Sequence, residues 1–386
     1  MKNIVERLAN QLKWLYYEQG VRERLRLWDS MGGGKHAEKQ IEPFRLLSRP
    51  SFNPIGTDDF LPRDPHYRSA LPAQKWRKFR EYVYHVQKPC YIEPEFGYVV
   101  MEPSVLIPES LAWSGMARIQ SLMHFFSGVP SIESYNQARR GEKPVRQEQI
   151  VVSLRHTFDD NYGHCLIQLM PALFLLEECG VSSDIPIVVS RKLGLSPFFR
   201  ELTQRGALRN RRWIVQDDAY IHAEEVIFAA TEWPSRILLD RFLDAIEVPP
   251  GDDGVQRRFF ILRRSRQLSN MESLQPILKQ YGFELIRPEE FTFAQQITLF
   301  SQARVVFGVL GAALTNAIFR RDSLMRILEI QSSVEKDLFF YSLAKTCGYS
   351  HRNLVGTPYE THDRYSNFSV EPEKFRAFID SGVSDL

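Results

Sequence analysis

From Arg257 onward the chain alternates short apolar runs with amphipathic ones at a nearly constant spacing. "RFFILRR" precedes "NMESLQPILKQYG", "FELIRP" precedes "TFAQQITLFSQA", "RVVFGV" precedes "AALTNAIF", and "LMRILEI" precedes "VEKDLFFYSLAKTCG". The first run of each pair is rich in β-formers and too short for a typical helix. The second has helical spacing, and two of these runs close on a glycine, Gly282 and Gly348. Strand and helix in regular alternation, joined by short connections, predict right-handed βαβ units around a parallel sheet. Such a sheet takes its ligands at the carboxyl ends of its strands. The residues just after each apolar run are therefore where chemistry is expected.

The 386 residues exceed one ordinary hydrophobic core, so two domains are expected. "PPGDDGVQ" (249–256) is the best linker in the sequence. Before it, "EYVYHV", "YVVMEPSVLI", "QIVVSL", "IPIVVS", "WIVQ" and "EEVIFAA" read as strands, Asn161 to Gly180 as a helix, and "SRILLDRFLDAIEV" as another. The expected division is 1–80, an N-terminal helix and irregular extension; 81–248, a first Rossmann-like domain; the linker; and 257–386, a second Rossmann-like domain. The fold class is α/β, with the two domains facing each other across a cleft that holds the site.

Composition narrows the function by exclusion. A chain 44% hydrophobic and 25% charged reads as soluble and globular. A net charge of +2 gives no general push toward nucleic acid. Cys90, Cys165, Cys179 and Cys347 form no CxxC pair, which argues against zinc and against a disulfide framework, and for a reducing compartment. No apolar run reaches the ~18–20 residues of a membrane helix, and the charged start "MKNIVERLANQLKWLYYEQG" is not a signal peptide. Ile4, Val5, Leu8, Leu12, Leu15 and Tyr16 recur at helical spacing. That helix either packs on its own domain or, with its Lys and Arg residues and Trp14 and Trp28, touches a membrane surface. Gly32-Gly33-Gly34-Lys35 lacks the P-loop spacing and reads as flexible linker.

Three places in the second domain carry candidate chemistry. Arg263, Arg264 and Arg266 follow a strand, where guanidinium forks suit phosphate oxygens. Gly308 to Gly311 separates a strand from a helix, so backbone N–H groups can approach an anion; the plainer reading is a tight turn needing positive φ. Glu329 stands near the end of "LMRILEI", where a carboxylate can accept from ribose hydroxyls. In the first domain, "HTFDDNYGHCLIQ" gathers His156, Asp159, Asp160, Asn161 and His164 at a strand–helix junction. Asp159 or Asp160 is expected to cap the helix, and His164 can orient a hydroxyl or take its proton. No HExxH or carboxylate cluster points to a bound metal.

Taken in order, these segments resemble glycosyltransferase family 61, over roughly residues 90–355. The C-terminal stretch "FILRRSRQLSNMESLQPILKQYGFELIRPEEFTFAQQITLFSQARVVFGVLGAALTNAIF" matches the family's order of an Arg-bearing strand end, "GFE", a Gln-bearing helix and a G-x-H-G-A-x-L-T-N segment. "NYGHCLIQLMPALFLLE" is similar to the N-[YF]-x-H-W-L-x-E-x-L-P pattern. The resemblance implies a GT-B architecture and inverting transfer from a nucleotide sugar, often a UDP-sugar, to a glycan or lipid-linked glycan acceptor, with no cofactor and no metal. Bacterial members, often tied to capsule or surface-polysaccharide synthesis, imply a cytoplasmic enzyme, peripheral to the inner face of the plasma membrane if the N-terminal helix binds lipid. Carried over residue by residue, Arg263 and Arg266 face the donor diphosphate with the backbone of Gly308, Gly311 and Ala312. Glu329 holds the ribose, Asn316 supports the loop, and Asn161 and His164 line the acceptor side. Two positions depart from the pattern: Leu310 replaces the His before Gly-Ala, and Gln168 replaces an acidic residue four after His164. Gln cannot act as a base, which leaves Asp160 and His164 as the catalytic candidates. Two other readings are a diverged, non-catalytic nucleotide-sugar-binding or scaffolding relative, and a sugar-nucleotide epimerase on the same fold.

Overall fold

A computed structural model describes residues 43–47, 81–102, 105–107, 132–155, 158–231, 235–251, 254, 256–333, 337–358 and 366–383. The N-terminal helix, the Gly32–Lys35 segment and His156 lie outside them. Contacts divide the chain into two units, one holding 81–199 and 210–231, the other 200–209 and 235–383. Both are α/β, and each is built on a parallel-rich sheet. Among the described residues no helix is long and apolar enough to cross a membrane.

The first unit contains nine strands among the described residues: β1 (Pro43–Leu47), β2 (Glu81–Val86), β3 (Cys90–Ile92), β4 (Val99–Met101), β5 (Val105–Ile107), β6 (Val145–Ser153), β7 (Ile187–Ser190), β8 (Trp213–Gln216) and β9 (Tyr220–Thr231). Their order is β5-β4-β3-β9-β6-β7-β8, with β2 also on β9 and β1 on β2. β9, β6, β7 and β8 are mutually parallel, while β1 to β5 add antiparallel pairs. β1 is a departure from the sequence expectation, since 43–47 lies in a stretch read as irregular; its edge pairing with β2 supplies order that composition does not encode. α1 (Ile132–Arg139) precedes β6. After β6 comes one helical run in three parts: α2 (Tyr162–His164), a π-helical turn (Cys165–Leu169) and α3 (Met170–Glu178). Every residue from Cys165 to Leu176 is buried, as expected of a helix apolar all round.

The second unit is the regular alternation seen in the sequence. α4 (Arg236–Ala245) comes first, capped by Ser235 Oγ on the Leu238 N–H. Arg236 ties it to the Cys347 and Arg321 carbonyls at 2.7 and 3.2 Å. Then follow β10 (Arg257–Ile261), α5 (Met271–Gln280), β11 (Phe283–Ile286), α6 (Phe293–Ser301), β12 (Ala303–Val309), a 3₁₀ helix (Ala312–Phe319), β13 (Arg326–Ser332), α7 (Phe339–Cys347), β14 (Ser350–Pro358), β15 (Phe368–Ser369) and α8 (Pro372–Val383). The sheet order is β11-β10-β12-β13-β14-β15, parallel except for the last pair. Strands one to five of this unit therefore lie in the order 2-1-3-4-5, a doubly wound pattern whose switch point falls between β10 and β12.

Side chains alternate across these strands and divide the sheet into two unlike faces. One carries Phe260, Val305, Phe307, Val309, Leu328 and Ile330 against Leu274, Ile277 and Leu278 of α5 and Phe375, Phe378, Ile379 and Val383 of α8. Burying an aliphatic or aromatic side chain contributes about 1.5–3 kcal/mol, so this face is a substantial part of the unit's cohesion. The other face holds Gly308, Glu329, Gln331 and His351, covered in part by α6 through Phe300 on Phe259 (ring centroids 5.5 Å) and by α7 through Tyr341 on His351 (5.7 Å).

Candidate functional site

The switch point is where the two glycines and the first arginine meet. β10 and β12 pair from Arg258–Val305 to Ile261–Gly308, so both chains leave the sheet at the same level. A Cβ on Gly308 would sit 3.1 Å from Ile261 Cβ, tighter than an ordinary contact. Arg263 Nη1 donates to the Leu310 carbonyl, and a Cβ on Gly311 would collide with the guanidinium. Gly311 has φ 170°, extended backbone open to any residue, and Gly308 is not among the positive-φ glycines. The tight-turn reading is thus corrected: these glycines serve close approach, with Gly311 making room for Arg263.

The loop after β10 is held by neighbours. Leu262 N–H donates to Ile286 O at 2.8 Å, and Gln267 N–H to Asn367 Oδ1 at 2.8 Å. Arg264, largely exposed, pairs with Glu289 at 3.2 Å. Arg266 is half-buried and left-handed, φ 53°. Such a backbone costs a non-glycine residue roughly 1–3 kcal/mol and clusters at functional positions. Ala312 opens the 3₁₀ helix, and residues 311–313 are half-exposed before the chain submerges at Leu314. Leu310 is itself buried, so at this position the backbone carbonyl rather than the side chain faces the arginine.

Two of the expected site residues are interior. Asn316 is fully buried and donates to Gln296 Oε1 at 3.1 Å, tying the 3₁₀ helix to α6. Glu329 is also fully buried. β13 runs on to Ser332, which makes Glu329 its middle residue rather than its end. Its carboxylate accepts from His351 Nε2 at 2.8 Å and from Gln331 Nε2 at 3.0 Å. The His351 and Gln331 contacts escaped sequence reasoning, because nothing in β14 marks His351 as facing β13 until the register is known. Thr315 Oγ1, next to Asn316, is buried with no hydrogen-bond partner among the described residues.

In the first unit the carboxyl end of β6 carries the second group. Arg155 is almost fully buried and each of its nitrogens is used: Nε donates to Asp159 at 2.8 Å, Nη1 to Gln216 Oε1, and Nη2 to the Pro94 and Glu95 carbonyls at 3.0 and 3.1 Å. Gly97, at φ +77°, gives the space, since a Cβ there would overlap Arg155. Burial pushes the Asp159 carboxyl above the usual carboxylate range, against the opposing pull of Arg155 and the Ser190 hydroxyl. Asp159 is thus a buried strut, and neither it nor Asp160 is the helix cap. Asn161 is: its Oδ1 accepts from Gly163 N–H at 2.9 Å and His164 N–H at 3.2 Å. Asp and Asn are both good caps; the Arg155 pair decides between them by taking Asp159.

Asp160 and Asn161 are exposed and His164 is half-exposed. His164 stacks on Phe158 (centroids 5.5 Å, 19° between planes), and its Nδ1 meets Gln168 Oε1. The π-helical turn that follows is explained by Pro171. Met170 N–H reaches back to Cys165 O, and Pro171 has no N–H to give to Ile167. Among the described residues no group of three or more His, Cys, Asp or Glu is placed to hold a metal ion.

No curated protein matches the chain. Residues 162–327 match the family model of Glycosyltransferase 61. The match opens on the first residue of α2 and ends within β13, so it includes His164, Gln168, Arg263, Arg266 and the Gly308–Asn316 segment, and stops just before Glu329. Residues 162–327 are thus a glycosyltransferase family 61 domain, the catalytic domain of a glycosyl-transferring enzyme.

Proposed function

We infer that the protein is an inverting transferase that moves a sugar from a nucleoside diphosphate, uridine diphosphate being the best fit, to a glycan or lipid-linked glycan acceptor. The observation that carries this reading is Arg263 lying on Gly311 at the β10/β12 switch point. Doubly wound sheets bind nucleotides there, and a guanidinium beside exposed backbone suits a diphosphate. Arg266 and the N–H groups around Gly308, Gly311 and Ala312 complete the donor side, with the buried Asn316 and Glu329 as support behind it. Arginine and backbone dipoles then neutralise the leaving diphosphate. The first unit supplies the acceptor side, through Asn161, with Asp160 and His164 as the candidate bases. This reading entails a GT-B enzyme built of two Rossmann-like domains. It also entails cytoplasmic, capsule-type polysaccharide synthesis of a bacterial kind, with peripheral membrane contact assigned to the N-terminal helix.

Calorimetry with UDP and a UDP-release assay over several donors and acceptors test it. Arg263→Ala should weaken UDP binding roughly tenfold or more, the effect of losing one charge-assisted contact of about 1.5–3 kcal/mol. UDP binding without sugar release from any donor, with cellular glycan unchanged in Asp160→Asn and His164→Ala, would instead establish the scaffolding reading. Conversion of UDP-GlcNAc without acceptor would establish the epimerase.

A further inference from the structure

We propose that Gln168 is a positioning residue that sets the tautomer of His164 and so makes Nε2 the atom that accepts a proton. The proposal rests on the transfer reading above. Gln168 replaces a carboxylate of the family pattern, and by its chemistry it cannot be a base. It nevertheless meets the half-exposed His164, and the meeting is specific: Oε1 faces Nδ1. An amide oxygen only accepts, so with Oε1 turned to the ring the proton is assigned to Nδ1. A neutral imidazole has a single N–H, which leaves the lone pair on Nε2.

Three further observations fix the ring. Gln168 is only 7% exposed, within an unbroken run of buried residues from Cys165 to Leu176, so its amide is held in place. Phe158 stacks on the imidazole and limits its rotation. Asn161 holds the His164 backbone through the N–H. A π-helical turn lies between His164 and the rest of the helix, a local feature common at functional sites.

The chemistry balances without an added co-reactant. The Nε2 lone pair takes the proton of the acceptor hydroxyl. The hydroxyl oxygen bonds to the anomeric carbon as the bond from that carbon to the diphosphate oxygen breaks. The nucleoside diphosphate leaves with that electron pair, and His164, now an imidazolium, later returns its proton to solvent. A carboxylate at 168 would hold the same tautomer and also stabilise the imidazolium; the amide supplies orientation alone.

The test combines imidazole ¹⁵N NMR of the full chain with turnover, using UDP-GlcNAc as the donor probe and UDP release as readout. His164→Gln identifies the resonances. In the wild type Nε2 should resonate in the unprotonated range and Nδ1 in the protonated range. Gln168→Glu should keep that pattern and retain kcat within tenfold. Gln168→Leu should mix the tautomers and lower kcat by about 10²-fold, the scale of a lost general base, with the donor KM within twofold. A protonated Nε2 in the wild type overturns the proposal, as does a Gln168→Leu variant that keeps both tautomer and kcat. The spectrum needs no turnover, so a wild type that releases no UDP from any donor counts against the transferase reading while the imidazole resonances still decide the role of Gln168.

Discussion

The junction after β6 and the crevice after β10 and β12 solve the same problem, holding polar groups at the carboxyl ends of parallel strands, in opposite ways. At the first, the charges are inside: Arg155 and Asp159 are buried against each other and against carbonyls of the β3–β4 turn, and the exposed Asp160 and Asn161 and the half-exposed His164 stand on that support. At the second, backbone provides the support, and the arginine lies over a glycine with only partial burial. A buried ion pair is costly to break, while a guanidinium over backbone is cheap to move. The first arrangement suits a fixed group such as a base; the second suits a site that must admit a charged ligand.

The contrast can be broken most severely at Arg155. Arg155→Met alone should destabilise the first unit by about 3–5 kcal/mol, because Asp159 is left as an uncompensated buried charge. Arg155→Met with Asp159→Leu should recover most of that loss, since apolar replacements of a buried pair are often neutral. Denaturant melts of the three proteins measure it, and a double variant no more stable than the single one would show that the pair is not the strut. At the crevice the corresponding change is Gly311→Ala. The added methyl displaces Arg263, and UDP affinity should fall by about 1.5–3 kcal/mol while the melting midpoint moves little; an unchanged Kd would separate Arg263 from the donor.

Arg266→Gly sharpens the comparison in the other direction. Removing the side chain from a left-handed residue should stabilise the second unit by about 1 kcal/mol while weakening UDP binding. A gain in stability with no loss of binding would mean that the strained backbone serves something other than the diphosphate. The smallest effect is in pH. Burial raises the Asp159 pKa in the folded state, so the folded protein binds more protons than the unfolded one between about 4, the ordinary Asp value, and the raised value. Stability from this group is full below that window and is lost as pH rises through it. The advantage of the wild type over Asp159→Asn should therefore grow as pH falls through the window, which thermal melts from pH 7 to 4 would reveal.

Much of this is legible in the sequence alone. "EYVYHV" and "WIVQ" are strands over the residues quoted, and Ser235 opens α4 as its apolar spacing requires. These segments are short and locally self-consistent, so propensity and pattern suffice. The site was legible as a set of positions rather than as contacts. Asp159, Asp160 and Asn161 are near-equivalent caps in one dimension, and the choice was made by Arg155, by Gln216 sixty-one residues further on, and by a glycine before β4. Glu329 looked like a strand end because β13 continues through the polar pair Gln331-Ser332, which sequence reasoning takes for a loop and register makes part of the sheet.

The sequence by itself determined that the second half is a parallel α/β sheet, that its strand ends carry arginine and glycine, and that a histidine follows β6 at the start of a helix. Those follow from periodicity and residue type, which act over a few residues at a time. Tertiary structure alone decided that Arg263 lies on Gly311, that Asp159 is a strut, that Glu329 faces His351, and that Gln168 holds His164. Each joins groups whose meeting depends on strand order, register or a turn of helix, and the free energy that selects the partner comes from burial and charge in three dimensions.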